Sequence, residues 1–209
     1  MCVVRPLDEE TLTHAVRELA AIDDDLRGIA ARHGPPPLWA REPGFETLVR
    51  IILEQQVSLR SAEAAHARLV GAARAVEPGA IVATGEHRLR DAGLTRQKSR
   101  YVVGLARDVV DGRLDLDAVA AADDDTARAA LMGVVGIGRW TADIYLLMAL
   151  RRPDVWPTGD LALAGSMRRA KGLAALPDGV AQLAIAEAWR PWRAVAARLL
   201  WHAYLAGER

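Results

Sequence analysis

The chain has 209 residues, enough for one large domain or two small lobes, and its 27 basic and 27 acidic residues give a formal charge of zero. Hydrophobic residues make up 51% of the sequence, yet no run of apolar residues is long enough to predict a membrane span or a signal peptide. The one cysteine, Cys2, excludes an internal disulfide, and a reducing cytoplasm is the expected location.

A neutral total does not favour a nucleic-acid binder, although uneven distribution can still produce a basic face. The acidic residues do cluster, in two runs of three Asp at 23–25 and 123–125. All basic residues except Lys98 and Lys171 are Arg, which favours bidentate phosphate contacts, although genomic base composition would produce the same bias. Six Trp, against three Tyr and one Phe, suggest roles that need a flat, electron-rich face.

The first half of the chain has helical periodicity. We predict a helix over 8–33, a stiff Pro-rich connector at 34–37, and Trp39 as a packing anchor. The pattern over 45–75 predicts two helices with a break near Gln56 and Ser58 as the second N-cap. This break exposes Gln55 and Gln56, either as a solvated polar loop or as side chains that enter a duplex.

Short helical signals follow at 79–94, and the pattern then predicts a helix that Thr95 caps and that runs to Val110. Its Arg96, Lys98 and Arg100 are typical of a solvated helix face, and phosphate contact is the alternative.

Three glycines within six residues, Gly133, Gly136 and Gly138, predict a hairpin between helices at 126–132 and 139–150. Such a turn leaves the backbone N–H groups of Gly136, Gly138 and Arg139 unpaired at a helix start. This arrangement suits a phosphate oxygen.

Pro153 and Pro157 end the second hairpin helix, and Asp160 then precedes an apolar run. By itself Asp160 is typical of a helix N-cap. A further helix start is predicted at 166–171, and the last helical block, 180–205, is interrupted at Pro191. No segment predicts a convincing strand, so the expected fold class is all-α.

Four segments in this order resemble the helix-hairpin-helix DNA glycosylase superfamily, and within it the 3-methyladenine DNA glycosylase II type. They are Ile-Leu-Glu-Gln-Gln-Val-Ser at 52–58, Gly-Ile-Gly-Arg-Trp-Thr-Ala at 136–142, Asp160, and Trp-Arg-Pro-Trp-Arg at 189–193 continuing to Trp201. The resemblance covers about residues 45–205. It implies a two-lobed helical fold without the extra N-terminal β domain of some relatives. The implied parts are 1–44, packing on the C-terminal lobe, a lobe at 45–155 and a lobe at 156–209.

The resemblance implies removal of alkylated purines, such as 3-methyladenine and 7-methylguanine, from duplex DNA during base excision repair. Asp160 would be the catalytic carboxylate, which stabilises a cationic sugar or activates water. Bifunctional relatives carry a Lys where this chain has Trp140, so no imine and no strand cleavage are expected. Asp143 is interpreted as structural, at the helix surface or capping the core.

Trp140 and Trp201 match the family's pocket aromatics, which would stack on a cationic base. Ile144 stands where a better-known bacterial enzyme has Tyr, and Tyr145 lies on a different helical face; Trp39 and Trp189 are interpreted as packing residues. The residues that the resemblance assigns to DNA contact are Gln55, Gln56, Ser58, Gly136, Gly138, Arg139 and Thr141, with Gln56 as the residue that fills the gap left by the extruded base.

The resemblance also implies a monovalent cation, Na⁺ or K⁺, held by the backbone carbonyls of Met132, Val134 and Ile137, although Val135 replaces a Pro common in this motif. No iron–sulfur cluster is expected, because its four cysteines are missing. The expected partner is duplex DNA, with no membrane, and the protein is expected to be a cytoplasmic, nucleoid-associated monomer. The alternatives are a non-catalytic helix-hairpin-helix DNA-binding module and an all-helical interaction protein with a coincidental turn.

Overall fold

The computed structural model describes residues 5–207, so Cys2 lies outside the described part of the chain. Within these residues all regular secondary structure is helical and there is no β-strand, which confirms the predicted fold class. The α-helices are α1 (Glu9–Ile22), α2 (Asp24–His33), α3 (Phe45–Glu54), α4 (Leu59–Ala73), α5 (Pro78–Asp91), α6 (Arg96–Val110), α7 (Leu116–Ala121), α8 (Asp124–Met132), α9 (Arg139–Met148), α10 (Leu161–Ala170), α11 (Gly179–Ala186) and α12 (Arg193–Leu205), and a 3-10 turn spans Glu187–Trp189. None of these described helices is long and apolar enough to cross a bilayer.

The chain divides into two compact units. The central unit is Arg41–Tyr145, and the terminal unit combines Met1–Ala40 with Leu146–Arg209. The second division therefore falls inside helix α9, earlier than the boundary at 155–156 that the sequence suggests. The chain crosses from one unit to the other within a continuous helix, whereas the proline signals come only after that helix has ended.

The central unit is built on α3 and α6. Helix α3 buries all five of its aliphatic side chains, and it packs against α4 and α6. Helix α6 buries Val102, Val103 and Leu105 along one face and also packs against α5. As predicted, Ser58 caps α4 and Thr95 caps α6, each accepting a hydrogen bond from a backbone N–H three residues later.

The terminal unit is organised around α12, which packs against α1, α2 and α10. Its fully buried Arg198 donates to the backbone carbonyls of Leu38, Leu147 and Ala194. Burial lowers the pKa of this guanidinium to about 10. By these hydrogen bonds to carbonyl oxygens, the side chain links α12 to the end of α9 and to the residue that follows the Pro-rich connector.

Two element predictions are wrong. Residues 8–33 form two helices, because the side chain of Asp23 accepts hydrogen bonds from the N–H groups of Asp25 and Leu26 and starts a second helix there. Helix α10 begins at Leu161 and not near Ser166, since the Asp160 side chain caps it.

Both acidic runs have the same local function. Asp23 caps α2 and Asp123 caps α8, and the remaining Asp residues of each run occupy the first helical turn. Carboxylates are favoured at these positions, because helix N-termini carry unpaired N–H groups and a positive dipole end.

Candidate functional site

The glycine-rich hairpin joins α8 to α9 in the central unit, as predicted. Gly136 has a φ of 98°, a left-handed value, and a Cβ added there would lie 2.3 Å from the ring of Tyr101 on α6. Glycine is therefore required at this position for two separate reasons, its backbone conformation and its contact with an aromatic ring.

The hairpin also presents backbone donors. The N–H of Ile137 is used internally, because it donates to the carbonyl of Val134 at 3.0 Å. Within the described residues, no acceptor is found for the N–H groups of Gly136, Gly138 and Arg139. These three groups are available to an external oxygen, such as that of a phosphate.

A buried ion pair holds the two hairpin helices together. Asp143 on α9 is fully buried, and the Arg128 Nε on α8 donates to its Oδ1. Burial alone would lower the pKa of Arg128, but the hydrogen bonds to Asp143 and Asp125 raise it. Arg139 is half-exposed and its Nε lies 3.5 Å from Asp143 Oδ2. The contacts of Asp143 support its interpretation as a structural carboxylate.

The α3–α4 turn, residues 55–58, presents Gln56. Gln56 is exposed and has a φ of 57°, which is uncommon for a residue with a Cβ. Ser58 is also exposed, but its hydroxyl accepts from the Ser61 N–H and lies 2.9 Å from the Ser61 Oγ. The turn thus displays the Gln56 side chain, while the Ser58 hydroxyl serves the helix start.

The side chain of Gln55 is less exposed than that of Gln56. Its Nε2 donates to the carbonyl of Gly136 at 3.0 Å and to Thr141 Oγ1 at 2.9 Å. Thr141 itself is only 2% exposed. The side chains of Gln55 and Thr141 therefore connect the α3–α4 turn to the hairpin. DNA contact by these two residues stays a prediction.

The other predicted residues of α9 in this unit differ in exposure. Trp140 is half-buried, whereas Ile144 is buried. Tyr145 is buried too, and its hydroxyl accepts from the N–H of Gly44 at 2.9 Å. Burial raises the pKa of this phenol. The exposed fraction of Trp140 is thus larger than that of Ile144.

Asp160 and Trp201 meet in the terminal unit. Asp160 Oδ1 accepts from the Leu163 N–H at 2.8 Å, as the N-cap of α10, and from the Trp201 indole N–H at 3.3 Å. Trp201 is 8% exposed on α12. Both interpretations of Asp160 thus remain compatible, because the cap that starts the helix also fixes the orientation of the carboxylate.

The remaining Trp residues of the terminal unit have structural contacts. Trp189 is 1% exposed and its indole donates to Asp23 Oδ2 at 2.7 Å, while Trp156 donates to Gln182 at 3.3 Å. The Trp192 indole hydrogen-bonds to Glu18, and Trp39 packs edge-on against His202. Hydrogen bonds from an indole N–H to a side-chain oxygen are thus common in this unit.

Sequence reasoning missed the contributions of α6 to the hairpin and the turn. Lys98, expected on a solvated face, donates from its Nζ to the carbonyl of Leu53 near the end of α3, and Tyr101 lies against Gly136. No local pattern indicates either contact, because the partners lie tens of residues away along the chain.

A cavity of about 710 Å³ in the central unit contains none of the predicted site residues. It lies beside α3 and α4, and charged side chains line much of it. Four of these charges form local ion pairs, Arg41 with Glu54 at 3.0 Å and Arg50 with Glu46 at 2.8 Å. It therefore carries no part of the candidate site.

A family model for the HhH-GPD superfamily, described as base excision DNA repair proteins, matches residues 49–191. A probable bifunctional transcriptional activator and DNA repair enzyme of Mycobacterium tuberculosis is 31% identical over 208 residues, which cover 94% of this chain and 41% of the relative. The chain thus spans about two fifths of that relative's length.

Solved structures of this superfamily have the same fold. The Schizosaccharomyces pombe 3-methyladenine DNA glycosylase, in complex with abasic DNA, matches with a TM-score of 0.83 at 24% identity, over 94% of this chain and 98% of that one. A DNA-3-methyladenine glycosidase from Bacillus halodurans matches with a TM-score of 0.77 at 29% identity, over 91% of this chain and 88% of that one.

Proposed function

The chain belongs to the HhH-GPD superfamily of base excision DNA repair proteins, and from this premise we propose that it is a monofunctional DNA glycosylase. Its substrates are alkylated purines of the 3-methyladenine and 7-methylguanine type in duplex DNA. The names of its relatives as DNA-3-methyladenine glycosylases support this substrate class.

The observation that carries the proposal is the fixed carboxylate of Asp160. A residue that caps a helix and also accepts an indole N–H cannot swing freely, so its negative charge has a defined position. Cleavage of an N-glycosidic bond places positive charge on the sugar in the transition state. A carboxylate held in advance stabilises that charge without reorganising during the reaction.

The chemistry is a hydrolysis. The bond between C1′ and the base nitrogen breaks, the electron pair leaves with the base, and water adds to C1′. Asp160 stabilises the cationic sugar and orients the water or accepts its proton. Alkylation gives the base a positive charge, so its departure needs no strong general acid.

Trp140 determines two features of the proposed activity. An indole is no amine, so it forms no imine with the sugar, and the abasic strand stays uncut. Its accessible face would hold a cationic base by about 0.5–2 kcal/mol. In the terminal unit, Trp201 has its own proposed role, as an aromatic residue that contacts the base and as the hydrogen-bond donor to Asp160. Ile144, from its position in the motif, would help to line the base pocket.

The central unit supplies the proposed DNA contacts. The N–H groups of Gly136, Gly138 and Arg139 bind a backbone phosphate. Gln56, exposed in a left-handed conformation, fills the gap in the duplex that the extruded nucleotide leaves.

A monovalent cation is proposed at the hairpin, held by the carbonyls of Met132, Val134 and Ile137. The residues present are compatible with it: the Val134 carbonyl accepts one bond, from the Ile137 N–H, and a carbonyl oxygen has a second lone pair. When bound, the ion would attract the phosphate electrostatically.

The test is incubation with methylated duplex DNA, followed by chromatography of the released bases. We expect 3-methyladenine and 7-methylguanine, with no strand cuts before alkali treatment and no covalent complex after borohydride reduction. Strand cleavage without alkali would contradict the monofunctional assignment.

The Asp160→Asn protein is the matched control for this assay. If wild type and Asp160→Asn release no bases but both bind abasic duplex DNA, the non-catalytic DNA-binding module is the correct description. If neither binds DNA at low salt, the protein is an all-helical interaction protein.

A further inference from the structure

The amide of Gln55 is the only described side chain for which a hydrogen bond joins the α3–α4 turn to the hairpin. One nitrogen donates to two acceptors, the Gly136 carbonyl at 3.0 Å and Thr141 Oγ1 at 2.9 Å. Two of the hairpin's three N–H donors, those of Gly138 and Arg139, lie between these acceptors along the chain. Gln55 therefore holds the segment that presents those donors.

Two side chains of helix α6 also contact the end of α3 and the hairpin. The Lys98 Nζ donates to the Leu53 carbonyl, two residues before the turn, and the Tyr101 ring fills the space beside Gly136. Lys98 and Tyr101 are three residues apart and so lie on neighbouring positions of one helix face. Side chains of the same helix, α6, thus hold both the hairpin and the segment just before the turn.

The residue that follows Gln55 shows why such fastening matters. Gln56 is exposed and has a φ of 57°. A residue with a Cβ keeps this conformation only where its surroundings enforce it. Gln55 is half-buried and anchored directly beside it, so the hydrogen bonds of Gln55 restrain the backbone from which the Gln56 side chain extends.

We propose that Gln55 is a positioning residue that couples the α3–α4 turn to the hairpin, so that Gln56 enters the duplex at a set distance from the phosphate that the hairpin holds. This inference rests on the proposed function. A pre-positioned side chain loses less conformational freedom on binding than one on a loose turn.

The coupling predicts a non-additive pair of substitutions. With duplex DNA that contains a stable abasic-site analogue, Gln56→Ala should weaken binding about tenfold in the wild-type background but only about twofold in the Gln55→Ala background. The measurement is the dissociation constant of all four proteins at one salt concentration.

A buried amide in the terminal unit provides the control. Gln182 accepts the Trp156 indole N–H and donates to the Pro177 carbonyl at 3.0 Å, so Gln182→Ala also removes an internal amide connection. We expect Gln56→Ala to keep its full effect in the Gln182→Ala background. Loss of the effect in both backgrounds would show that general destabilisation explains the result, and it would overturn the proposal.

A second readout uses single-turnover excision from methylated DNA. Gln55→Ala should slow excision from duplex DNA about tenfold and excision from single-stranded DNA by a clearly smaller factor, because the hairpin holds a phosphate of either substrate but only the duplex has a gap to fill. Equal slowing on both substrates overturns the coupling. Additive effects of Gln55→Ala and Gln56→Ala on binding overturn it as well, as does a Gln56→Ala substitution without effect in wild type. Absence of base release by wild type would instead contradict the proposed function, and the binding cycle would still decide the coupling.

Discussion

Two Trp–Asp pairs of the terminal unit are built alike. Asp23 caps α2 and accepts the Trp189 indole N–H, and Asp160 caps α10 and accepts the Trp201 indole N–H. The first pair also includes Lys171, whose Nζ lies 2.6 Å from Asp23 Oδ2 and 2.9 Å from Asp25 Oδ2. The Lys171 Nζ also lies 5.7 Å from the centre of the Trp189 ring.

The comparison shows that a cap and an indole donor do not by themselves make an active site. In the Asp23 pair, the carboxylate charge is compensated by an ammonium group and contributes to stability. In the proposed mechanism, the Asp160 charge has to act on the sugar. Substitution by Asn separates the two roles, because Asn caps helices about as well as Asp but carries no charge.

Asp160→Asn should give the largest effect. We expect single-turnover excision of 7-methylguanine to fall about 10²- to 10³-fold, because the carboxylate charge is lost from the transition state. The free energy of unfolding in urea should change by less than about 0.5 kcal/mol, since the cap is kept. Excision at the wild-type rate would show that Asp160 is only a cap.

Asp23→Asn should give the opposite pattern. It keeps the cap of α2 but leaves Lys171 without one of its two carboxylates, so we expect a loss of about 1–3 kcal/mol in the free energy of unfolding. Excision by the folded protein should stay within about twofold of wild type. A large loss of activity at full stability would contradict the structural role of this pair.

Trp201→Phe should give a smaller effect on chemistry. The ring shape is largely kept, but the indole N–H is lost. We expect the single-turnover rate to fall about 5- to 10-fold, which corresponds to the net contribution of one ordinary hydrogen bond, about 1 kcal/mol. Trp189→Phe is the matched variant, since it removes the indole donor to Asp23. It should lower the unfolding midpoint and leave the single-turnover rate unchanged. Equal effects of both variants on that rate would contradict the proposed difference between the Asp23 and Asp160 pairs.

The smallest effect concerns pH. Burial acts to raise the pKa of Asp23, but the hydrogen bonds from Lys171 and Trp189 outweigh it, and the pKa lies below its usual value. A carboxylate with a lowered pKa stabilises the fold above its unfolded pKa, and that contribution is lost as the pH falls through the folded value. The stability gap between wild type and Asp23→Asn should therefore narrow below about pH 4, as urea titrations would show. A constant gap from pH 7 to pH 3 would contradict this sign.

Much of the fold follows from local rules. Apolar spacing indicates α3 and α6, Ser58 and Thr95 cap their helices, and the three glycines place the hairpin. The wrong boundaries arise where one residue has two plausible functions. Asp23 lies within an apparently continuous helical pattern and still caps a new helix, because its side chain competes for backbone N–H groups.

Local sequence patterns were enough to predict the helical class, the hairpin and the carboxylate of Asp160 at the start of an apolar run, because periodicity, caps and glycine conformations depend on neighbouring residues. Three contacts were visible only in the folded chain: Gln55 donates to the hairpin, Lys98 donates to the end of α3, and Trp201 donates to Asp160. These hydrogen bonds join groups 81, 45 and 41 residues apart. Their partners are chosen by helix packing, and no local propensity specifies them.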